Sequence, residues 1–324
     1  MKHLIIDTDG VSDDLRAISL AIYHPETYIL GITTVHGCAQ AQQAVANVAR
    51  LQRAMSIYAS LTKPFVVHPF FGKDGIGDRP DAFPKALPSD YMAYEREPAV
   101  QALIRLTTEY RDVIIVALAP LTNIALAYKL DPDFAKRIKK LVILGGNYFG
   151  VGNVDGMSSA EFNFHADPEA AKIVLEEMDT DIMFVPWDTF HLKSAEHEAQ
   201  IDFYAHLRVG TPLASFLAAA THIGREIMAK SGRQYGYCDE VAVAAAIDPR
   251  AVVKKSIDLR VGVELQGEMT RGQVVVDWSN VKFYPNGTGV DMSKDKRRRV
   301  HVVVDYDVKI VDQNIRNTVS GVRL

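Results

Sequence analysis

Cysteine is scarce in this chain: Cys38 and Cys238 are the only two in 324 residues. Two cysteines cannot build a disulfide framework and cannot by themselves complete a thiolate zinc site. Long apolar runs are missing too. No segment reaches bilayer-spanning length, so no membrane association is expected. Nothing before the first apolar run has the pattern of a signal peptide, which makes a cytoplasmic location the expectation. Positive charge is not in excess either. With 36 Lys and Arg against 40 Asp and Glu the formal net charge is −4, which argues against a nucleic-acid partner. The one dense basic run, Lys294 to Arg299, is interrupted by Asp295 and reads as a solvated loop.

What the chain does have is apolar residues in quantity, 48% against 23% charged, enough to fill a large core. No repeat, low-complexity tract or linker divides it, and a single domain over residues 1–324 is expected. Strand-like runs (His3 to Ile6, Tyr28 to Val35, Ser56 to Val67, Val113 to Leu118, Leu141 to Leu144, Ile182 to Val185) alternate with helical patterns. The helical patterns are Leu15 to Tyr23, Ala39 to Ala54, Pro98 to Tyr110, Ile124 to Leu130, Asp167 to Glu177, Ser194 to Leu207, Pro212 to Lys230 and Glu240 to Ile247. Such alternation predicts an α/β fold, a mainly parallel twisted sheet with helices on both faces. The tail from Leu259 to Val311 reads as a C-terminal strand-rich extension. Pro69 to Pro88, with Gly72, Gly75 and Gly77, reads as a long functional loop.

The chemistry concentrates in Asp7-Thr8-Asp9-Gly10-Val11-Ser12-Asp13-Asp14, which follows the apolar Leu4-Ile5-Ile6. Carboxylates this crowded repel, and burying them unpaired is costly. A helix N-cap with acidic first-turn residues would account for Ser12, Asp13 and Asp14. It would leave Asp7 and Asp9 unexplained. A hard divalent cation, Ca²⁺ or Mg²⁺, accounts for the whole stretch. The stretch also stands where open α/β sheets bind ligands, at the carboxyl end of the first strand. Other strand ends carry polar groups: His36 and Cys38, Thr122 and Asn123, and the Asn153 to Asn163 region. The segment Gly152-Asn153 to Glu161-Phe162-Asn163 is rich in hydrogen-bonding side chains and has no basic residue, which suits a sugar rather than a phosphate. Asp239 opens an apolar helix and reads alone as an N-cap.

Two families share the opening pattern. Asp7-Thr8-Asp9-Gly10-Val11 after a strand looks like the first motif of haloacid-dehalogenase-type phosphatases. That resemblance would make Asp7 a nucleophile in a Mg²⁺-dependent phosphatase, but a matching downstream Lys and acidic pair are missing. The whole stretch through Asp14 more closely resembles the Asp-x-Asp-x-Gly-x-Asp-Asp motif of the inosine–uridine type nucleoside N-ribohydrolases, with Gly10-Val11 for the usual Pro-Gly. Gly31 to Val35, Pro120 to Ala125, Leu144 to Ala171 and Cys238 to Pro249 match that family's further segments in order.

The resemblance implies Ca²⁺-dependent hydrolysis of the N-glycosidic bond of ribonucleosides to ribose and free base. It implies Ca²⁺ ligands in Asp9, Asp14, the main-chain carbonyl of Thr122, and Asp239. Asp9 is implied as the general base on a metal-bound water, and Asp7 as its support from behind. Asp13 and Asn163 are implied for the ribose 2′- and 3′-hydroxyls, Asn153 and Glu161 for the 5′-hydroxyl, and a homodimer or homotetramer for the assembly. The base-facing half departs from the family: Cys238 stands for its usual His, Phe71 for the His of its mobile loop, and Cys38 for its usual Asn. The base side is therefore open among His36, Cys38, Phe71, Trp187, Tyr235, Tyr237 and Cys238, and a non-catalytic ribonucleoside-binding protein stays an alternative.

Overall fold

The strand β1 (Lys2–Thr8) alternates its side chains between two separate cores: Leu4 and Ile6 pack into one, Ile5 into the other. A strand buried on both faces belongs to a sheet covered on both sides. In this computed structural model, which describes residues 1–55, 70–87, 97–154, 158–278 and 299–321, that sheet has eight strands. The others are β2 (Thr27–Thr34), β3 (Val113–Ala117), β4 (Ile138–Leu144), β5 (Ile182–Val185), β6 (Val253–Val263), β7 (Val274–Val276) and β8 (Arg299–Tyr306). Their spatial order is β2-β1-β3-β4-β5-β8-β6-β7. Pairings from β2 through β8 are parallel, and β6 runs antiparallel to both β8 and β7. The chain is thus one α/β domain with a mainly parallel sheet and helices on both faces, and its C-terminal strands lengthen the same sheet.

Helices follow the parallel strands: Ser12–Tyr23 after β1, Ala41–Met55 after β2, Thr122–Leu130 after β3 and Pro168–Glu177 before β5. Three local expectations are corrected. The patterns over 194–207 and 212–230 are each two pieces: helix Ser194–Glu198 with a 3₁₀ turn at Ala205–Arg208, and helices Pro212–Ala220 and His222–Lys230. Thr221, at φ −93° and ψ 1°, leaves helical geometry and separates the second pair. Phe162–Ala166 and Trp187–His191 form short helices that periodicity over one turn cannot reveal. Val308 to Val311 belongs not to a strand but to the helix Val308–Ser320, started by the Asp307 carboxylate accepting from Lys309 N and Ile310 N. The expected strand at Ser56 to Val67 lies outside the described residues, as do most of the basic run and part of the C-terminal tail.

Because parallel strands share one carboxyl edge, the segments after β1, β2, β3, β4 and β5 meet there.

Candidate active site

At that edge lies a cavity of about 630 Å³. It is lined by Asp9, Asp13, Asp14 and Asp239, by Asn153, Glu161 and Asn163, and by Cys38, Phe71, Trp187, Tyr235, Tyr237 and Cys238. Three expected residues do not line it: Asp7, His36 and Thr122. A more open depression near Lys136, Asp181 and Arg260 lies by the starts of β4 and β5, away from these groups.

The acidic wall is built by two helix starts. Helix Ser12–Tyr23 carries Asp13 and Asp14 in its first turn. Helix Asp239–Ile247 begins on Asp239, with Cys238 rather than Asp239 as its N-cap residue. One oxygen each from Asp13, Asp14 and Asp239 lie within 4.8 Å of one another. Asp9 adjoins them, near enough for its charge to act on Asp14, while its Oδ2 accepts the Cys38 N–H at 2.5 Å. Thr8 Oγ1 donates to Asp14 Oδ1. Burial pushes the Asp9 carboxyl up to about 6, and pushes Asp14 and Asp239 well above the usual carboxylate range, with their mutual repulsion adding to it. Asp13 Oδ1 is buried without a hydrogen-bond partner among the described residues. Crowded, buried, oxygen-only donors are the environment a hard divalent cation satisfies.

Asp7 sits behind this wall, fully buried. Its Oδ1 accepts from Thr33 Oγ1 at 2.6 Å and Asn123 Nδ2 at 2.9 Å, and burial raises its pKa to about 7. A carboxylate so enclosed cannot serve as a nucleophile, which removes the phosphatase reading. Thr122 opens helix Thr122–Leu130 at the end of β3, its hydroxyl donating to Asp167 Oδ2 at 2.5 Å. His36 lies outside the cavity lining, both ring nitrogens buried without a partner among the described residues.

The polar wall is set by Glu161. Its carboxylate caps helix Phe162–Ala166, accepting from Asn163 N at 3.0 Å and Phe164 N at 3.2 Å, and takes Gly146 N at 2.6 Å. Burial outweighs these bonds and raises its pKa to about 7. Asn163 Nδ2 donates to the carbonyls of Leu118 and Leu144, at the ends of β3 and β4, so its Oδ1 is the atom left for a ligand. Asn153 is the complement: its Oδ1 accepts from Phe162 N at 2.7 Å, leaving its Nδ2 to donate. The buried Asp188 carboxylate holds the preceding loop through the N–H groups of Tyr148 and Val151.

The remaining wall is aromatic. Phe70 stands edge-on to both Phe71 and Tyr235, with ring centroids 5.0 Å apart in each pair. Trp187 Nε1 is buried without a partner among the described residues. His191, His197, Glu198 and Arg233 also line the cavity, and no motif in the sequence marks them. His191 follows Trp187 by four residues, a same-face helical spacing visible only once that short helix is known. The buried pair of Arg16 and Glu240, which underlies the Tyr235 to Cys238 turn, is likewise unmarked.

Residues 4–313 match the family model described as inosine-uridine preferring nucleoside hydrolase. A relative of that description from Leishmania major is 33% identical over 321 residues, covering 94% of each chain. A probable uridine nucleosidase 1 from Oryza sativa subsp. japonica is 31% identical over 298 residues, covering 85% of this chain and 84% of the relative. Among solved structures, an inosine-guanosine nucleoside hydrolase superposes with TM-score 0.80 at 28% identity, covering 98% of both chains. A purine-preferring ribonucleoside hydrolase from Gardnerella vaginalis superposes with TM-score 0.80 at 27% identity, covering 99% of both chains. With the family model spanning nearly the whole chain, and the acidic and polar walls arranged as described, the chain belongs to the inosine-uridine preferring nucleoside hydrolase family and is an N-glycosyl hydrolase acting on ribonucleosides.

Proposed function

We propose that this chain uses Ca²⁺ to hydrolyse ribonucleosides such as inosine and uridine to ribose and free base. The observation that carries the reading is the meeting of Asp13, Asp14 and Asp239 within 4.8 Å, with Asp9 beside Asp14, in a cavity shared with Asn153 and Asn163. Asp9, Asp14, Asp239 and the Thr122 carbonyl would hold the ion; an all-oxygen set favours Ca²⁺ over softer metals. Bound there, the ion supplies a Lewis acid that acidifies water and organises the sugar hydroxyls.

Asp9 is the general base. Its Oδ2 is fixed by the Cys38 N–H, which sets the direction of the carboxylate toward the cavity it lines. Asp13, through its orphaned Oδ1, and Asn163, through its free Oδ1, accept from the 2′- and 3′-hydroxyls. Asn153 and Glu161 serve the 5′-hydroxyl. As the bond to the base lengthens, positive charge gathers on the ribose ring, and the surrounding carboxylates stabilise it. The rings of Phe70, Phe71, Trp187 and Tyr235 offer flat apolar faces to a planar base.

The test is reducing-sugar release from inosine, uridine and p-nitrophenyl riboside, with and without a chelator. The expected result is cleavage that is lost on chelation and restored by added Ca²⁺. Activity indifferent to chelation sinks the metal assignment, and tight ribose binding without cleavage sinks the catalytic one. A homodimer or homotetramer is the assembly we expect, checked by light scattering during gel filtration.

A further inference from the structure

Arg16 is fully buried, one turn into the helix that presents Asp13 and Asp14. Its guanidinium contacts three successive residues, Tyr235, Gly236 and Tyr237, and also Glu240, which anchors Cys238. It stands 4.7 Å from the ring centroid of Tyr235 and 5.5 Å from that of Tyr237. Its Nη2 donates to the Gly236 carbonyl at 3.2 Å, and its Nε meets the Glu240 carboxylate. Glu240, also fully buried, accepts the Cys238 N–H on its Oε2 at 2.9 Å. Tyr235, Tyr237 and Cys238 line the cavity, whereas neither Arg16 nor Glu240 does.

Taking an ion pair out of water costs enough that well-packed apolar residues usually serve stability better. The pair therefore calls for a return other than stability. A planar fork that stacks on two rings while bonding a carbonyl between them gives a directional constraint that no apolar side chain supplies. We infer that Arg16 and Glu240 form a positioning pair for the base-facing wall, holding Tyr235, Tyr237 and Cys238 against the leaving base, so that the pair governs departure of unactivated bases and not sugar binding. The inference rests on the nucleoside-hydrolase reading above. It assigns a leaving-group role to a stretch in which the family's usual His is replaced by Cys238.

The experiment compares an unactivated ribonucleoside with p-nitrophenyl riboside, whose leaving group departs without help. Two variants are used: Arg16→Lys, which keeps the charge and loses the fork, and Arg16→Met with Glu240→Met, which removes both charges and so leaves none orphaned. The expected result for both is a fall of about 10²-fold in kcat on inosine or uridine, the size of a misplaced catalytic wall. Activity on p-nitrophenyl riboside should stay within about threefold, and the KM values should change little. Equal loss on both substrates overturns the inference, because it marks a general structural or metal-site role. Unchanged kcat on the ribonucleoside overturns it as well. A wild-type chain inactive on every riboside would instead fail the underlying reading, so the two failures are distinguishable.

Discussion

Gly37 has no side chain because Asp9 occupies the space one would fill. A Cβ there would lie 2.1 Å from Asp9 Oδ2 and 2.8 Å from its Cγ, too close for either atom to stay. Gly37→Ala should therefore displace Asp9, the proposed general base, while leaving the hydrophobic cores intact. We expect kcat/KM to fall by roughly 10²-fold or more, with a melting temperature close to that of the unmodified chain. Steady-state kinetics beside a thermal melt checks this; unchanged kcat/KM would mean that Asp9 is not held where its contact with Cys38 N puts it. At this scale the acidic wall was legible, because four carboxylates within eight residues announce themselves without any partner. The Asn163 and Asn153 amides were legible as polar groups, but which atom each offers depends on distant strand-end carbonyls and on the backbone N–H that opens the short helix Phe162–Ala166. Arg16 and Glu240 were not legible at all. In a helix a single charged residue reads as solvent-facing, and only the packing of the helices Ser12–Tyr23 and Asp239–Ile247 turns both inward.

The elements meet the site through a few buried clamps, of which Asn47 is the clearest. From helix Ala41–Met55 its Nδ2 donates to the Gly10 carbonyl at 2.9 Å and to the Asp74 carbonyl at 2.8 Å. Its Oδ1 accepts from Gln43 and Arg50, so the amide is fully used. One side chain thus ties the acidic loop to the glycine-containing loop that brings Phe71 to the cavity. Gly10, at φ +65° and with a Cβ position only 2.6 Å from Ala44 Cα, makes the tight approach possible. Asn47→Ala leaves the buried Gly10 carbonyl without this donor, at a cost of about 1–3 kcal/mol, and the part-buried Asp74 carbonyl without it at a smaller one. We expect a lower melting temperature and a KM increase of roughly tenfold, with kcat less affected because the acidic wall has other supports. A fall in kcat with unchanged KM would count against the clamp. Strand and helix order was legible from alternating patterns because the central strands β3 and β5 are apolar on both faces. The short helices Phe162–Ala166 and Trp187–His191 were not, since five residues complete barely one period.

At the scale of the whole molecule the buried acids link folding, protons and metal. In the metal-free protein Asp7 and Glu161 are raised to about 7 and Asp9 to about 6, and Asp14 and Asp239 stand well above their ordinary values, all chiefly by burial. A carboxyl whose folded pKa exceeds its unfolded one binds more protons when folded. Its contribution is therefore complete below the unfolded value and is lost as pH rises toward the folded one. For these groups that window runs from about pH 4 to about pH 7. Stability of the chelated protein should decline across it. A divalent cation acts in the opposite sense, because its ligands must be deprotonated to bind it. At a hundredfold excess over its Kd it adds about 2.7 kcal/mol to the folded state. The difference in melting temperature between Ca²⁺-loaded and chelated protein should therefore be small near pH 5 and several degrees larger near pH 7.5. Parallel thermal melts across that range measure it directly. A pH-independent difference would place the metal outside the carboxylates of the opening loop and Asp239, and a chelated protein that gains stability with pH would mean that these acids are ionised in the fold without a cation.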